Sequence, residues 1–307
     1  MKIVFFGTSN VALPILETLQ KNYEVIGVVT QPDALVGRKQ ALQESPVSLL
    51  SNELGLKLFK PKTVKNNNLF LMELKDLQSD IFVVVSYGKI LPSEIINLPA
   101  AKTLNIHFSL LPKYRGASPI QTAILNGDTE TGTSIMVMDE ELDHGPVLTA
   151  EKHAIEADDN YITLSERLAH ASANLLRIAL PDFLAGRLKP TEQNHANATY
   201  TKIISKEDGK IDWNKTAQEI YNKFRAFYPW PGIWTTWNGK MVKITDCLPS
   251  AVVQPGPLPG AVLNGGFIAC GGGTSLQINK LQLEGKTETD INSFLNGYKN
   301  FVGSSVG

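Results

Sequence analysis

Asn105 and His107 stand two residues apart at the end of an apolar run, residues 103–107, which puts both side chains on one side of a strand. An open α/β sheet binds ligands beyond the carboxyl ends of its strands. An amide and an imidazole side by side there can donate hydrogen bonds to a developing oxyanion. Polar residues also cap strand ends, and the pair alone leaves both readings open. A second polar stretch, Asp139-Glu140-Glu141-Leu142-Asp143-His144-Gly145-Pro146, follows the next apolar run. Glu140 and Glu141 read as a solvated turn. Leu142 and the Gly145-Pro146 turn can tuck Asp143 against the sheet end, where its carboxylate would orient the His107 ring and move protons.

Competing chemistries find less support. No G-x-S-x-G occurs, and Ser109 lies in Ser-Leu-Leu-Pro rather than a nucleophile elbow. Cys247 and Cys270 fall in the part of the chain that has no histidine, and they read as buried small hydrophobes. The five histidines (107, 144, 153, 170 and 195) have no metal-ligand spacing, so no metal is expected. Gly7-Thr8-Ser9 after the first apolar run lacks the other glycines of a dinucleotide loop and reads as a plain strand-to-helix turn, whose helix N-terminus could still attract an anion.

The elements that must carry these residues follow from periodicity. Short apolar runs at 3–6, 25–29, 57–59, 81–85, 103–107 and 134–138 alternate with helical patterns at 11–19, 46–54, 69–77 and 119–126. A long amphipathic stretch, 161–183, closes this half at Gly186. Strand and helix in alternation predict a Rossmann-like open, mostly parallel α/β sheet over residues 1–186. Residues 187–205 are polar and broken by Pro190, which predicts a linker. Beyond it lie all four tryptophans, a helical pattern at 216–227, and an Asn238-Gly239 hairpin joining 233–237 to 241–245. Short strands at 267–270 and 276–283 complete a smaller β-barrel (OB-like) domain over 206–307.

With 307 residues, two domains fit the length, and 43% hydrophobic against 19% charged residues excludes a disordered chain. A net charge of −1 excludes a histone-like polycation but allows a local basic patch. No signal-peptide core or ~20-residue apolar span is present, so a cytoplasmic protein without a membrane partner is expected.

Asn105-x-His107, Ser109-Leu110-Leu111-Pro112, Arg115-Gly116 and Leu142-Asp143-x-Gly145 together resemble the folate-dependent formyltransferases. Phe5-Phe6-Gly7-Thr8-Ser9 and Ser86-Tyr87-Gly88-Lys89-Ile90-Leu91-Pro92 are similar to that family's first strand and pterin-side loop. Gln31-Pro32-Asp33, Gly37-Arg38-Lys39 and Ser45-Pro46-Val47 are similar to a loop with which its tRNA-directed members approach the acceptor end. Asp208-Gly209-Lys210-Ile211-Asp212-Trp213, Arg225-Ala226-Phe227-Tyr228-Pro229-Trp230-Pro231-Gly232 and Leu281-Gln282-Leu283-Glu284-Gly285-Lys286 resemble the C-terminal domain of those members, so the likeness spans the chain. It departs at Glu141, His144 and Pro146, where the family more often has Gly, Thr and an acid.

The resemblance implies formyl transfer from 10-formyltetrahydrofolate to the α-amino group of methionyl initiator tRNA, by direct amine attack without a metal. It implies Asn105, His107 and Asp143 as catalytic residues. The pterin is expected at Ser86, Tyr87, Gly88, Lys89, Ile90 and Leu91 and at Ser109, Leu110, Leu111 and Pro112. From Lys206 onward there are 10 basic residues and 8 acidic ones, a slight excess suited to phosphate contact. Expected tRNA contacts are Arg38, Lys39, Lys206, Lys210, Lys223 and Arg225, with Trp234 and Trp237 as candidates to stack on bases or to pack in the core. A monomer is expected. A sugar-nucleotide N-formyltransferase and a non-catalytic folate-binding module are the alternatives.

Overall fold

Nearly continuous branched and aromatic runs become central strands because both of their faces are covered. The computed structural model describes residues 1–36, 41–250 and 256–307. In chain order the elements are β1 (Lys2–Gly7), α1 (Leu13–Asn22), β2 (Glu24–Val29), β3 (Ala34–Val36), β4 (Ala41–Gln43), α2 (Pro46–Glu53), β5 (Leu58–Phe59), α3 (Asn68–Asp76), β6 (Ile81–Val85), α4 (Ser93–Ile96), β7 (Thr103–His107), β8 (Arg115–Gly116), α5 (Pro119–Leu125), β9 (Glu130–Val137), β10 (Val147–Ala154), α6 (Tyr161–Leu184) and β11 (Tyr200–Thr201). Unit 1 comprises Met1–Pro119, Glu130–Ala154 and Ser165–Lys202; unit 2 comprises Ile120–Thr129, Ile155–Leu164 and Ile203–Gly307.

Unit 1 is built on a seven-stranded sheet in the order β10-β9-β7-β6-β1-β2-β5. The five strands from β7 to β5 are parallel; on the other side β9 pairs antiparallel with β7, and β10 antiparallel with β9. Val4, Phe6, Phe82, Val84, Phe70 and Leu74 pack one core beneath it. The Gly7-Thr8-Ser9 turn leads into a short 3-10 turn and then α1.

Residues 187–202, read from sequence as part of a linker, belong to unit 1. Parts of the segment are paired. Thr191 and Val147 exchange two backbone hydrogen bonds of 2.8 Å at the β10 edge, and β11 pairs in parallel with β8.

In unit 2, α7 (Ala217–Phe227) starts at a capping box of Thr216 and Glu219. The remaining elements are β12 (Ile233–Trp237), β13 (Lys240–Ser250), β14 (Phe267–Ala269), β15 (Ser275–Leu283), β16 (Thr289–Asp290) and α8 (Ile291–Gly297). The antiparallel order is β12-β13-β15-β14, with β16 beside β15. Asn238 (φ 48°) and Gly239 (φ 74°) supply the two positive-φ residues that a two-residue hairpin needs. Register breaks in β13 near Asp246 curl the sheet into a half-barrel. Trp213, Ile233, Trp237, Ile244, Ile278, Phe294 and Phe301 belong to its buried core. Among the described residues, no helix is long and apolar enough to cross a membrane.

Candidate active site

The i, i+2 spacing in β7 does put Asn105 and His107 on one face of the sheet, and a single carboxylate meets both. Asn105 Nδ2 donates to Asp143 Oδ1 at 3.1 Å, and His107 Nδ1 lies 3.5 Å from Asp143 Oδ2. The Gly116 backbone N–H donates to the same Oδ2 at 2.7 Å. His107 Nε2 donates to the Tyr114 carbonyl at 2.9 Å, because a carbonyl can only accept. His107 and Asp143 are both buried.

Asp143 arrives by a route that the strand order dictates. β9 is antiparallel to β7, with Val137 opposite Leu104, so the chain leaves β9 at the far end from His107. Residues 138–146 must double back, which brings Asp143 beside Asn105 and His107, at the carboxyl end of β7. Gly145 permits the return, since a Cβ there would lie 2.0 Å from the Val137 carbonyl oxygen. Asp143 itself is left-handed (φ 51°), as is Tyr114 (φ 59°). Such a backbone costs a non-glycine residue about 1–2 kcal/mol and persists only where its surroundings hold it.

Arg115 of the Arg115-Gly116 motif is joined by supporting residues, Gln193 and His195, that carry no sequence signal of their own. Arg115 is 2% exposed, and its Nη2 donates to Gln193 Oε1 at 2.7 Å and to His195 Nδ1 at 2.8 Å. Gln193 Nε2 donates in turn to the carbonyls of Asp143 (2.9 Å) and Gly145 (2.7 Å). The His144 and His195 rings stack at 4.0 Å, and His144 Nδ1 lies 2.7 Å from Asp139 Oδ2. Among the described residues, no three His, Cys, Asp or Glu side chains group as a metal site.

The residues expected around the pterin divide between surface and core. Ser86 (φ 47°), Gly88 (φ 80°) and Ile90 are exposed. Ser86 Oγ accepts from Ser9 Oγ at 2.8 Å, while Thr8 Oγ1 and Gln31 Nε2 both donate to the Tyr87 carbonyl at 2.9 Å. The Gly7-Thr8-Ser9 turn is thereby bound to this loop. Tyr87 and Leu91 lie in the core, so a ligand beside the loop would meet the Tyr87 backbone and not its ring. Burial pushes the Tyr87 phenol up from its ordinary value. Lys89 Nζ donates to the carbonyls of Pro61 (2.7 Å) and Lys62 (2.9 Å), and burial lowers its pKa.

In the second loop, Ser109 is buried with its hydroxyl donating to the Lys113 carbonyl at 2.6 Å. Leu110 covers Gly132 on β9, where an added Cβ would meet its side chain at 2.4 Å. Leu111 and Pro112 are half-buried, and Ser134 Oγ ties the loop down by accepting from Leu111 N at 3.1 Å.

Of the basic candidates, Arg38 and Lys39 lie outside the described residues. Lys206 and Lys210 are exposed. Lys223 reaches the Lys210 carbonyl and lies 5.9 Å from the Phe227 ring centre. Arg225 is not a surface cation. It is 7% exposed, and its guanidinium donates to the carbonyls of Asp159 (2.8 Å) and Glu156 (3.3 Å) and to Asn222 Oδ1 (2.8 Å). Burial lowers its pKa. Trp234 and Trp237 are 8% and 5% exposed, with their indole N–H groups donating to Lys206 O and Ser304 Oγ, so neither offers a free face. Trp230, at 59% exposed, is the tryptophan that does, with Tyr228 beside it in the chain.

Comparison with known proteins follows the same division of the chain. The family described as "Formyl transferase" matches residues 1–180, and "Formyl transferase, C-terminal domain" matches residues 203–299. A methionyl-tRNA formyltransferase of Caldanaerobacter subterraneus subsp. tengcongensis is 44% identical over 97% of both chains. One of Listeria monocytogenes is 39% identical over 96% of this chain and 95% of that one. The crystal structure of an N-formyltransferase of Helicobacter canadensis, in complex with folinic acid and dTDP-3-aminofucose, superposes with a TM-score of 0.69. At 22% identity over 91% of this chain and 98% of that one, it bears on the fold alone. Matches over both halves, in the order in which the cluster and the half-barrel occur, place the chain in the formyl transferase family.

Proposed function

We propose that this member of a formyl-transferring enzyme family carries the formyl group of 10-formyltetrahydrofolate to the α-amino group of methionyl initiator tRNA. The observation that carries the chemistry is the meeting of Asn105, His107 and Asp143, within 3.5 Å, on one face of β7. The choice of acceptor draws support from full-length relatives named methionyl-tRNA formyltransferase.

In the mechanism, the amine adds to the formyl carbon and the formyl oxygen becomes negative. Asn105 keeps a second amide N–H beyond the one given to Asp143, and this N–H is a donor for that oxygen. His107 Nε2–H is the other donor, exchanging the Tyr114 carbonyl for the stronger acceptor. Asp143 takes the proton that the attacking nitrogen must lose and returns one to N10 as the old C–N bond breaks. Protons and charge balance on these three residues.

The loops fit a flat heterocycle with hydrogen-bonding edges. Left-handed turns at Ser86 and Gly88 turn backbone outward beside exposed Ile90, and Leu111 and Pro112 offer apolar surface. In unit 2, Lys206 and Lys210 supply cations for tRNA phosphates, and the exposed face of Trp230 suits stacking on a base.

The test is formyl transfer from 10-formyltetrahydrofolate to methionyl initiator tRNA, with charged elongator tRNA and an amino-sugar nucleotide as parallel acceptors. Transfer confined to the initiator is expected, with KM for tRNA rising steeply with salt. Transfer to the sugar nucleotide alone would overturn the acceptor assignment. Folate binding without transfer to any acceptor would leave a binding module.

A further inference from the structure

We infer that Gln193 is a positioning residue for the reaction, holding the Asp143 loop in the conformation that aims its carboxylate at Asn105 and His107. The inference rests on the formyl-transfer reading above. Gln193 lies 50 residues from Asp143 in sequence, in the polar segment between α6 and β11, and it touches none of the three catalytic side chains through its own.

Both ends of its amide are used. Nε2 donates to the Asp143 carbonyl at 2.9 Å and the Gly145 carbonyl at 2.7 Å, on either side of His144. Oε1 accepts from Arg115 Nη2 at 2.7 Å and Nε at 3.3 Å. Guanidinium groups only donate and carbonyls only accept, so the amide has one workable orientation. Gln193 is 7% exposed, which makes each of these bonds costly to leave unmade. The paired Thr191 and Val147 backbones, two residues away, anchor it from the edge of β10.

Of the three catalytic residues, Gln193 grips the one that lies outside a strand. Asn105 and His107 are fixed by the β7 ladder. Asp143 is left-handed, on a loop that must double back, and a relaxed φ there would swing the carboxylate away. The same amide ties that loop to Arg115, next to the Gly116 N–H that binds the carboxylate. Gln193 therefore sets the distance between the two segments that hold Asp143.

Two substitutions separate the halves of the amide. Gln193→Met removes all four bonds at similar volume. Gln193→Glu keeps an acceptor for Arg115 and removes both donors to the loop. In each, kcat for formyl transfer should fall about 10- to 100-fold, with KM for folate and tRNA within about twofold of wild type. Added to Asp143→Asn, either should cost less than about threefold more, because the residue acts through Asp143. Hydrogen exchange of the amides of residues 139–146, measured without substrates, should quicken in both variants.

A kcat within about threefold of wild type in whichever variant folds, or the same fold-loss with and without Asp143→Asn, would overturn the inference. If the wild-type protein transfers formyl to no acceptor, the functional reading falls instead. Loop exchange then decides alone: faster exchange keeps Gln193 as the holder of the loop, and unchanged exchange removes it.

Discussion

Replacing Asp143 with asparagine tests the cluster with the least change of shape. The carboxylate accepts on both oxygens, from Gly116 N–H at 2.7 Å on Oδ2 and from Asn105 Nδ2 at 3.1 Å on Oδ1, with His107 Nδ1 3.5 Å from Oδ2. An asparagine has one accepting and one donating end. Turned one way, its NH2 faces the Gly116 N–H, which the backbone holds in place. Turned the other way, it faces the Asn105 NH2, which can rotate to offer its oxygen. The second arrangement should win, at the cost of the negative charge that strengthens both hydrogen bonds.

A hydrogen bond to a charged group contributes about 1.5–3 kcal/mol, so Asp143→Asn should lower stability by about 2 kcal/mol. For a domain of this size that is a fall of about 4–8 °C in Tm. Turnover should fall much further, by about 100-fold or more, because an amide cannot collect the amine proton. Asp143 is buried and meets the substrates only at the reacting nitrogens, so KM for folate and tRNA should stay within about twofold. The assay is single-turnover transfer of labelled formyl at saturating donor, with thermal unfolding read on the same preparation. Turnover within about tenfold of wild type, accompanied by the expected fall in Tm, would show that Asp143 only props up the loop and would refute its part in proton transfer.

Gly145→Ala would press a methyl group to 2.0 Å from the Val137 carbonyl oxygen, so either the 138–146 loop shifts or the protein unfolds. Calorimetry should show a loss of at least about 2 kcal/mol, together with loss of transfer. Trp230→Ala should raise KM for tRNA with little change in Tm or in folate affinity, whereas Trp237→Ala should cost about 3–5 kcal/mol of stability; parallel melting and tRNA-binding curves for the two variants distinguish these effects. Burial, partly countered by the Leu276 backbone N–H, pushes the Cys270 thiol from 9.0 up to about 12. A raised folded-state pKa gives stability that is complete below the unfolded value, so Cys270 contributes fully below pH 9.0 and its contribution is lost as pH rises toward about 12. Urea unfolding across that range should weaken less steeply in Cys270→Ala, and thiol reagents at pH 7 should label Cys270 only after unfolding.

The sequence carried some of these features in local spacing and hid others in the path of the chain. The parallel strands were legible because a strand covered on both faces is written as an unbroken apolar run, as in Ile81–Val85. Asn105 and His107 were legible because a period of two fixes their common face whatever lies around them. Strand direction has no such mark, so nothing local announced that β9 would turn antiparallel and send residues 138–146 back over β7. Polarity was equally ambiguous. In residues 187–202 it read as exposure, yet Thr191 pairs with the β10 edge and Gln193 is buried against two carbonyls. Arg225 followed the same rule: five donors in a fixed fork suit a phosphate, but they suit the carbonyls of Glu156 and Asp159 as well.

The tryptophans show the converse ambiguity. Trp234 and Trp237 lie on the hairpin that composition made a stacking candidate, yet each buries its ring and gives its N–H to a partner inside unit 2. Trp230, between two prolines, keeps its ring in solvent. In each case the residue type restricted the chemistry, while the partner supplied by a distant segment decided between function and support. Partners reached across 50 or more residues, such as Gln193 to Asp143 and Arg225 to Asp159, leave no period in the sequence. The residues proposed to touch the reacting atoms stand in motifs, whereas Gln193, proposed to aim them, is placed only by the path of segment 187–202. Substitutions in that segment should therefore affect transfer more than its polar composition suggests.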